Sequence, residues 1–192
     1  MCSSDLSSLE EPDSAEVVPS SPYAASKWAS SAYARMFQEL YQTPVVLVRI
    51  FMTYGPGQDP RKLLPYVILS LLRGENPKLT SGQRQIDWVY IEDVVEGLVA
   101  AAQAPAIEGK TVDVGSGTLV SIRTLVEHLA RLINPQIKPF FGALGDRPLE
   151  QVRVADTARS SALIGWKPTT ALEEGLMRTV SWYERQLGAG AF

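Results

Sequence analysis

The sequence predicts an α/β protein in which helices alternate with short strands. A continuous β-branched run over residues 44–51 is typical of a strand buried in a parallel sheet. Apolar residues recur at helical spacing after residue 22, and amphipathic patterns of the same period return further along the chain. Gly, Pro and Ser clusters separate these segments, which is the alternation expected of strand–helix units.

The first predicted element is a helix from Pro22 to about Tyr41. Ser21 is a favourable N-cap, and proline suits the first helical position. The apolar residues of this helix are spaced three or four positions apart: Ala25, Ala29, Ala32, Met36 and Leu40. Residues 1–20 are rich in Ser, Glu and Asp, so we expect a loop or a disordered start there.

The remaining elements follow from the same patterns. We predict strands over residues 44–51, 78–80, 86–91, 111–114 and 137–141, and loops over residues 54–57 and 115–117. We predict helices over residues 63–73 and 92–102, from Ser121 to about Ile133, from Asp156 to Gly165, and from Thr170 to about Leu187.

Composition argues against several function classes. The 192 residues carry a formal net charge of −3 and no basic stripe, so a nucleic-acid partner is not expected. The longest apolar run, near residues 67–72, is too short to span a bilayer, so no membrane partner is expected. The single cysteine fits a reducing, cytoplasmic location. With one histidine and no Gly-x-Ser-x-Gly motif, neither a serine hydrolase nor a metal site is indicated.

Tyr23 and Lys27 form the candidate catalytic pair. They lie one helical turn apart, so a helix places both side chains on one face. A cation beside a phenol favours the phenolate, which lowers the pKa of the phenol. Such a tyrosine exchanges a proton with an alcohol or a carbonyl oxygen, as alcohol–ketone interconversion with a nicotinamide requires. The spacing alone does not distinguish this pair from a surface tyrosine that lies above a solvated lysine.

Five segments carry motifs that occur in one order. They are SPYAASK at 21–27, RIFMTYGPG at 49–57, DWVYIEDV at 87–94, VDVGSG at 112–117, and DRP at 146–148 followed by Asp156 and IGWKP at 164–168. Together they resemble the extended short-chain dehydrogenase/reductase family, specifically its NAD-dependent nucleotide-sugar epimerases and dehydratases.

The resemblance implies the C-terminal part of a Rossmann-type parallel sheet with a smaller mixed α/β substrate-binding lobe. Residues 21–57 and 86–116 would be the remnant of the dinucleotide-binding domain, and residues 58–85 and 117–192 the substrate-binding lobe. No Gly-rich strand-to-helix turn precedes the tyrosine, although a dinucleotide enzyme needs one for the pyrophosphate. We therefore expect a chain without its N-terminal half, and an upstream reading frame that encodes Gly-x-x-Gly-x-x-Gly.

The same resemblance assigns the cofactor side of the site. It implies NAD as cofactor, with NADP as the alternative. Tyr23 would be the acid/base, and Lys27 would lower its pKa and hold the nicotinamide ribose. Phe51, Met52 and Thr53 would lie beside the nicotinamide and the substrate. Many relatives have an asparagine that contacts substrate where Met52 stands, so the usual substrate contact is altered here.

The substrate side is assigned in the same way. Lys62 and Leu63 match positions that line the nucleotide diphosphate, and Arg147 matches an arginine that grips it. A guanidinium suits this role because it presents a rigid fork of donors. Many relatives have an arginine where Ile86 stands, and Arg84, two residues earlier on the same strand face, is the expected substitute.

Three functions stay open at this point. The first is an epimerase or dehydratase that oxidises a nucleotide sugar at C4 to a 4-keto intermediate, as a homodimer formed through the helix bearing Tyr23. The second is a reductase of a non-sugar ketone, against which the cations weigh because an uncharged ketone does not require them. The third is a non-catalytic truncated fragment that only binds nucleotide sugar or dimerises.

Overall fold

The α/β prediction is confirmed by a computed structural model that describes residues 18–149 and 151–190. The described helices are α1 (Pro22–Tyr41), α2 (Leu63–Leu72), α3 (Ile91–Gln103), α4 (Ile122–Ile133), α5 (Thr157–Ile164) and α6 (Leu172–Gly188). The described strands are β1 (Leu47–Ile50), β2 (Met52–Tyr54), β3 (Gln85–Tyr90), β4 (Thr111–Val114) and β5 (Leu119–Ser121). Most of the predicted disordered start lies outside the described residues. The division into two lobes stays a prediction.

The strand predicted over residues 44–51 is reduced to β1, and it is followed by β2, which was not predicted and which includes Tyr54 of the predicted loop. β1 pairs in parallel with β4, where Ile50 is opposite Val114. β2 pairs in parallel with β3, where Met52 is opposite Trp88, and β3 pairs antiparallel with β5. Phe51 stands between the two strands, so the chain crosses from one sheet to the other within one residue.

The predicted burial of this strand is wrong for β1. Among the described residues β1 has β4 as its only neighbouring strand, and its last residue, Ile50, is 48% exposed. Two other strand predictions also differ from the structure. Residues 78–80 and 137–141 make a single parallel bridge, between Lys78 and Phe140, while β5 was not predicted.

Helix ends follow the predicted capping residues. The hydroxyl oxygen of Ser21 accepts from the Ala24 N–H at 3.1 Å, and that of Ser121 accepts from the Thr124 N–H at 3.0 Å. α5 ends at Gly165, whose φ of 66° lies in the left-handed region that glycine adopts at little cost. These contacts explain why the first residues of α1 and α4 are found where the sequence predicts them.

Two hydrophobic cores lie on either side of the β3 strand. In the first, α2, α4 and α6 pack around side chains such as Tyr54 and Trp88. In the second, α3 and α5 pack against β1 and β4, with Val112 and Val114 fully buried. β3 contributes to both cores, with Trp88 in the first and Val89 in the second. Among the described residues no helix is both long enough and apolar enough to cross a bilayer.

Three buried aspartates tie these elements together. Asp87 accepts the N–H groups of Ser116 at 2.6 Å, Gly117 at 3.0 Å and Ala155 at 2.9 Å. Asp93 accepts from the Thr169 N–H at 2.9 Å and from the Thr170 N–H at 3.2 Å. α6 begins at Leu172, two residues later than predicted. The third, Asp113, accepts from Arg49 Nε at 2.7 Å and joins β4 to β1.

Candidate active site

The predicted catalytic pair is brought together at the start of α1. The Nζ of Lys27 lies 5.7 Å from the centroid of the Tyr23 ring, within the range of a cation–π contact. Ser21 caps the helix and Pro22 occupies its first position, so the pair stands in the first two turns of a well-defined helix. The Tyr23 side chain is 71% exposed. The described residues therefore hold the pair together without enclosing it.

α1 touches the rest of the chain along a narrow seam. Its less exposed residues, Ala24, Ser31, Ala34 and Gln38, lie on one side, and Gln38 Oε1 accepts the Val45 N–H at 3.1 Å. No residue of α1 is buried. The large apolar side chains on its other faces are exposed: Tyr23, Trp28, Tyr33, Met36, Phe37, Leu40 and Tyr41. Such a contiguous apolar surface is typical of an interface with further protein.

The predicted cofactor-side residues stand where the chain crosses between sheets. Phe51 packs in the second core, while Met52 is 40% exposed. The Thr53 hydroxyl donates to the Phe51 carbonyl at 3.3 Å, and the Thr53 carbonyl accepts from Gln58 Nε2 at 3.2 Å. This crossing follows the carboxyl end of β1, the edge at which open α/β sheets bind ligands.

Lys62 and Leu63 stand at the amino end of α2. Lys62 is the N-cap and makes no side-chain capping hydrogen bond, while Leu63 is the first helical residue. The Lys62 N–H donates to the Asp59 carbonyl at 2.9 Å. The Asp59 carboxylate binds the neighbouring Arg61, which holds the pKa of Asp59 well below its usual range. A helix N-terminus flanked by two cationic side chains is a favourable place for an anion.

The two predicted arginines belong to segments that are hydrogen-bonded to each other. Arg84 precedes β3 and is half-buried, and Arg147 is exposed in the loop before α5. Asp146, next to Arg147, accepts both the N–H and the hydroxyl of Ser81 at 3.0 Å. These bonds bring the loop of Arg147 to the turn that leads into Arg84, although 65 positions separate the bonded residues.

Buried tyrosines are poor alternatives to Tyr23 as acid/base groups. Burial raises the pKa of Tyr54 above its ordinary value, and its hydroxyl donates to the Leu172 carbonyl at 3.3 Å. Burial also raises the pKa of Tyr183 to about 12, and its hydroxyl donates to the Gln58 carbonyl at 2.6 Å. Both phenol hydroxyls donate to backbone carbonyl groups and remain protonated at neutral pH.

Surface clefts and metal-binding groups give no second candidate site. Two open clefts, of about 340 and 400 Å³, lie beside Trp88 and beside Arg123, and neither is lined by a predicted site residue. In the described part of the chain, no three His, Cys, Asp or Glu side chains are grouped to hold a metal ion. The candidate site therefore rests on α1, the β1–β2 crossing and the cations.

A family profile described as "NAD dependent epimerase/dehydratase family" matches residues 4–115, more than half of the chain. The chain belongs to this family. The resemblance inferred from the sequence is thereby confirmed, together with the Rossmann-type fold, and homologues in this family are NAD-dependent enzymes.

Relatives in the family include both reaction types. The chain is 34% identical over 176 residues to a UDP-glucose 4-epimerase of Mycolicibacterium smegmatis, covering 88% of this chain and 55% of the relative. It is 31% identical over 175 residues to a dTDP-D-glucose 4,6-dehydratase of Mus musculus, covering 87% and 48%. The chain spans about half the length of the curated relatives it matches.

Among solved structures of the family, one neighbour is DesIV, a dTDP-glucose 4,6-dehydratase of Streptomyces venezuelae with NAD and TYD bound. Its TM-score is 0.79 at 29% sequence identity, and the match covers 90% of this chain and 53% of DesIV. The similarity in fold therefore extends over most of the chain.

Proposed function

We propose that this chain is the part of an NAD-dependent nucleotide-sugar epimerase or dehydratase that carries the acid/base tyrosine and the diphosphate-binding groups. The observation that carries the proposal is the Tyr23–Lys27 pair, whose Nζ–ring distance is 5.7 Å on a capped helix of a family member. Relatives of both reaction types match to a similar extent, so the proposal covers both.

The chemistry assigned to the pair is proton transfer at the C4 oxygen of the sugar. Tyr23 accepts the proton of the C4 hydroxyl as the sugar becomes a 4-keto intermediate, and in the epimerase reaction it returns a proton to that oxygen when the ketone is reduced. Lys27, whose Nζ lies 5.7 Å from the centroid of the Tyr23 ring, places a positive charge beside it. NAD, when bound, would supply the hydride transfer that alcohol–ketone interconversion needs.

The residues present fit one end of that cofactor. The exposed face around Tyr23 and Lys27 offers a hydroxyl and an ammonium to the nicotinamide ribose, and Phe51 and Met52 supply apolar surface at the sheet edge. The sequence contains no Gly-x-x-Gly-x-x-Gly turn for the pyrophosphate. We propose that the protein acts together with a dinucleotide-binding half.

The cations are proposed to bind the diphosphate of the substrate. Lys62 lies at a helix N-terminus without a side-chain cap, and Arg84 and Arg147 belong to hydrogen-bonded segments. Replacing Lys62 or Arg147 with Ala is expected to weaken UDP binding about tenfold, because each removes a charge-assisted hydrogen bond. Isothermal titration with UDP measures this.

The matched control for this experiment is Lys110→Ala. Lys110 is exposed and precedes β4, at the end of the parallel strands opposite to the ligand edge, so its replacement should leave UDP affinity unchanged. Equal affinities for UDP in all of these variants and in the parent chain would remove the cations from the site.

Two alternatives remain, each with its own test. A non-catalytic fragment is supported by the 71% exposure of Tyr23 and by the match to half of the relatives' length. It predicts binding of UDP without turnover when a dinucleotide-binding half is supplied. If the protein is a reductase of a non-sugar ketone, it should turn over simple ketones, and UDP should not inhibit that turnover.

A homodimer formed through α1 is part of the proposal. It is supported by the exposed aromatic side chains along the helix, among them Tyr33 and Phe37. The protein is expected to sediment as a dimer at tens of micromolar, and Tyr33→Glu with Phe37→Glu to give monomers, because charges on an apolar interface are costly. Sedimentation of the parent protein as a monomer would contradict it.

A further inference from the structure

Ser81 is the centre of a hydrogen-bonded cluster beside the proposed diphosphate site. Its N–H and its hydroxyl both donate to Asp146 Oδ1 at 3.0 Å. Its carbonyl accepts from Arg123 Nη2 at 3.0 Å. Every polar group of Ser81 is therefore engaged, by a loop on one side and by the first turn of α4 on the other.

Arg123 is itself held in place from several directions. Its guanidinium carbon lies 3.9 Å from the centroid of the Phe141 ring, and its Nη1 lies 3.6 Å from Glu127 Oε1. Its backbone N–H donates to the Gly82 carbonyl at 2.9 Å. A side chain with a stacked ring and hydrogen bonds at both ends has little freedom to move.

The turn between Ser81 and Arg84 is correspondingly well defined. Gly82 has a φ of 73°, and a Cβ there would lie 2.9 Å from the Phe141 ring and 3.1 Å from Arg123 Cβ. The Arg84 carbonyl accepts the Ile122 N–H at 3.1 Å. The turn is fixed at its start, its middle and its end, so the position of Arg84 depends on the cluster.

The loop on the other side is fixed by the same serine. Asp146 immediately precedes Arg147, and its two contacts with Ser81 join this loop to the turn before β3. The Ser81 hydrogen bonds also hold the pKa of Asp146 below its usual value, so the carboxylate stays ionised as an acceptor.

We propose that Ser81, Arg123 and Asp146 are positioning residues that set Arg84 and Arg147 at the spacing a nucleoside diphosphate requires. This inference rests on the proposed function, because it assumes that the two arginines bind the diphosphate. It adds three residues that touch neither substrate nor cofactor and act through the arginines.

The test compares a ligand that has the diphosphate with one that lacks it. Asp146→Ala removes both hydrogen bonds to Ser81, and Arg123→Lys removes the guanidinium that stacks on Phe141. Each is expected to weaken UDP binding by about five- to tenfold and to leave uridine binding within twofold. A merely structural role would weaken both ligands alike. Titration calorimetry gives the affinity for UDP, and NMR titration gives the weaker affinity for uridine.

Two further variants make the comparison specific. Glu108→Ala makes the same kind of change at an exposed carboxylate in the loop before β4, and it should leave both affinities unchanged. Asp146→Ala combined with Arg147→Ala should bind UDP no more weakly than Arg147→Ala alone, because residues that act through one another are not additive.

The outcomes distinguish the positioning role from the proposed function. If the parent chain binds UDP and Asp146→Ala lowers UDP and uridine affinity equally, or lowers neither, the positioning role is overturned and the proposed function stands. If the parent chain does not bind UDP at all, the proposed diphosphate site fails, and the positioning role fails with it. Selective loss of UDP affinity together with non-additivity supports both.

Discussion

Replacing Tyr23 with Phe is expected to lower turnover about 10²–10⁴-fold, the range typical for loss of a positioned acid/base group. The substitution removes the phenolic oxygen and leaves the ring, so the contact with Lys27 and the fold of α1 are retained. The measurement is sugar turnover by the complete protein, in which the dinucleotide-binding half is present, with NAD binding followed in parallel.

Tyr41→Phe is the matched control for that experiment. Tyr41 lies at the other end of the same helix and is 66% exposed, so the same loss of a hydroxyl there should leave turnover unchanged. Unchanged turnover in Tyr23→Phe would take the tyrosine out of the mechanism. A parallel loss of NAD binding would instead indicate that the hydroxyl serves the cofactor and does not transfer the proton.

Replacing Asp87 with Ala is expected to lower the free energy of unfolding by about 3–5 kcal/mol. Asp87 is 2% exposed and accepts three backbone N–H groups and the Ser116 hydroxyl. Removing it leaves several buried donors without an acceptor, and each costs about 1–3 kcal/mol. Urea denaturation followed by circular dichroism measures the loss.

Asp87→Asn gives a graded comparison, because an amide keeps one acceptor oxygen and should lose roughly half as much stability as the alanine variant. Glu108→Ala, at an exposed carboxylate, should not shift the urea midpoint. An Asp87→Ala protein that unfolds at the midpoint of the parent would show that water or a rearranged loop satisfies these donors.

The sequence was most informative where local chemistry decides the structure. Ser21, Ser121 and Gly165 cap their helices as predicted, because capping depends on residues within one turn. β2 was not predicted, because the passage of the chain from one sheet to another at Phe51 depends on which distant strand pairs with each segment. β5 was missed because its three residues carry no periodic signal.

The candidate site, like the fold, could be predicted from the sequence only in part. Tyr23 and Lys27 lie four positions apart on one helix, so the sequence was enough to bring them together. Asp87 was part of a quoted motif, but its role depends on partners about 30 and 68 positions away. The bond from Asp146 to Ser81 crosses 65 positions and has no local signal at all.

The passage of the chain between sheets at Phe51 bears on how sugar preference is altered. Phe51 packs in one core and Tyr54, three residues later, in the other. The segment at the ligand edge is thus positioned by both hydrophobic cores. Substitutions that repack either core shift one side of this edge relative to the other. Directed evolution can therefore alter sugar preference without changing a residue that contacts the sugar.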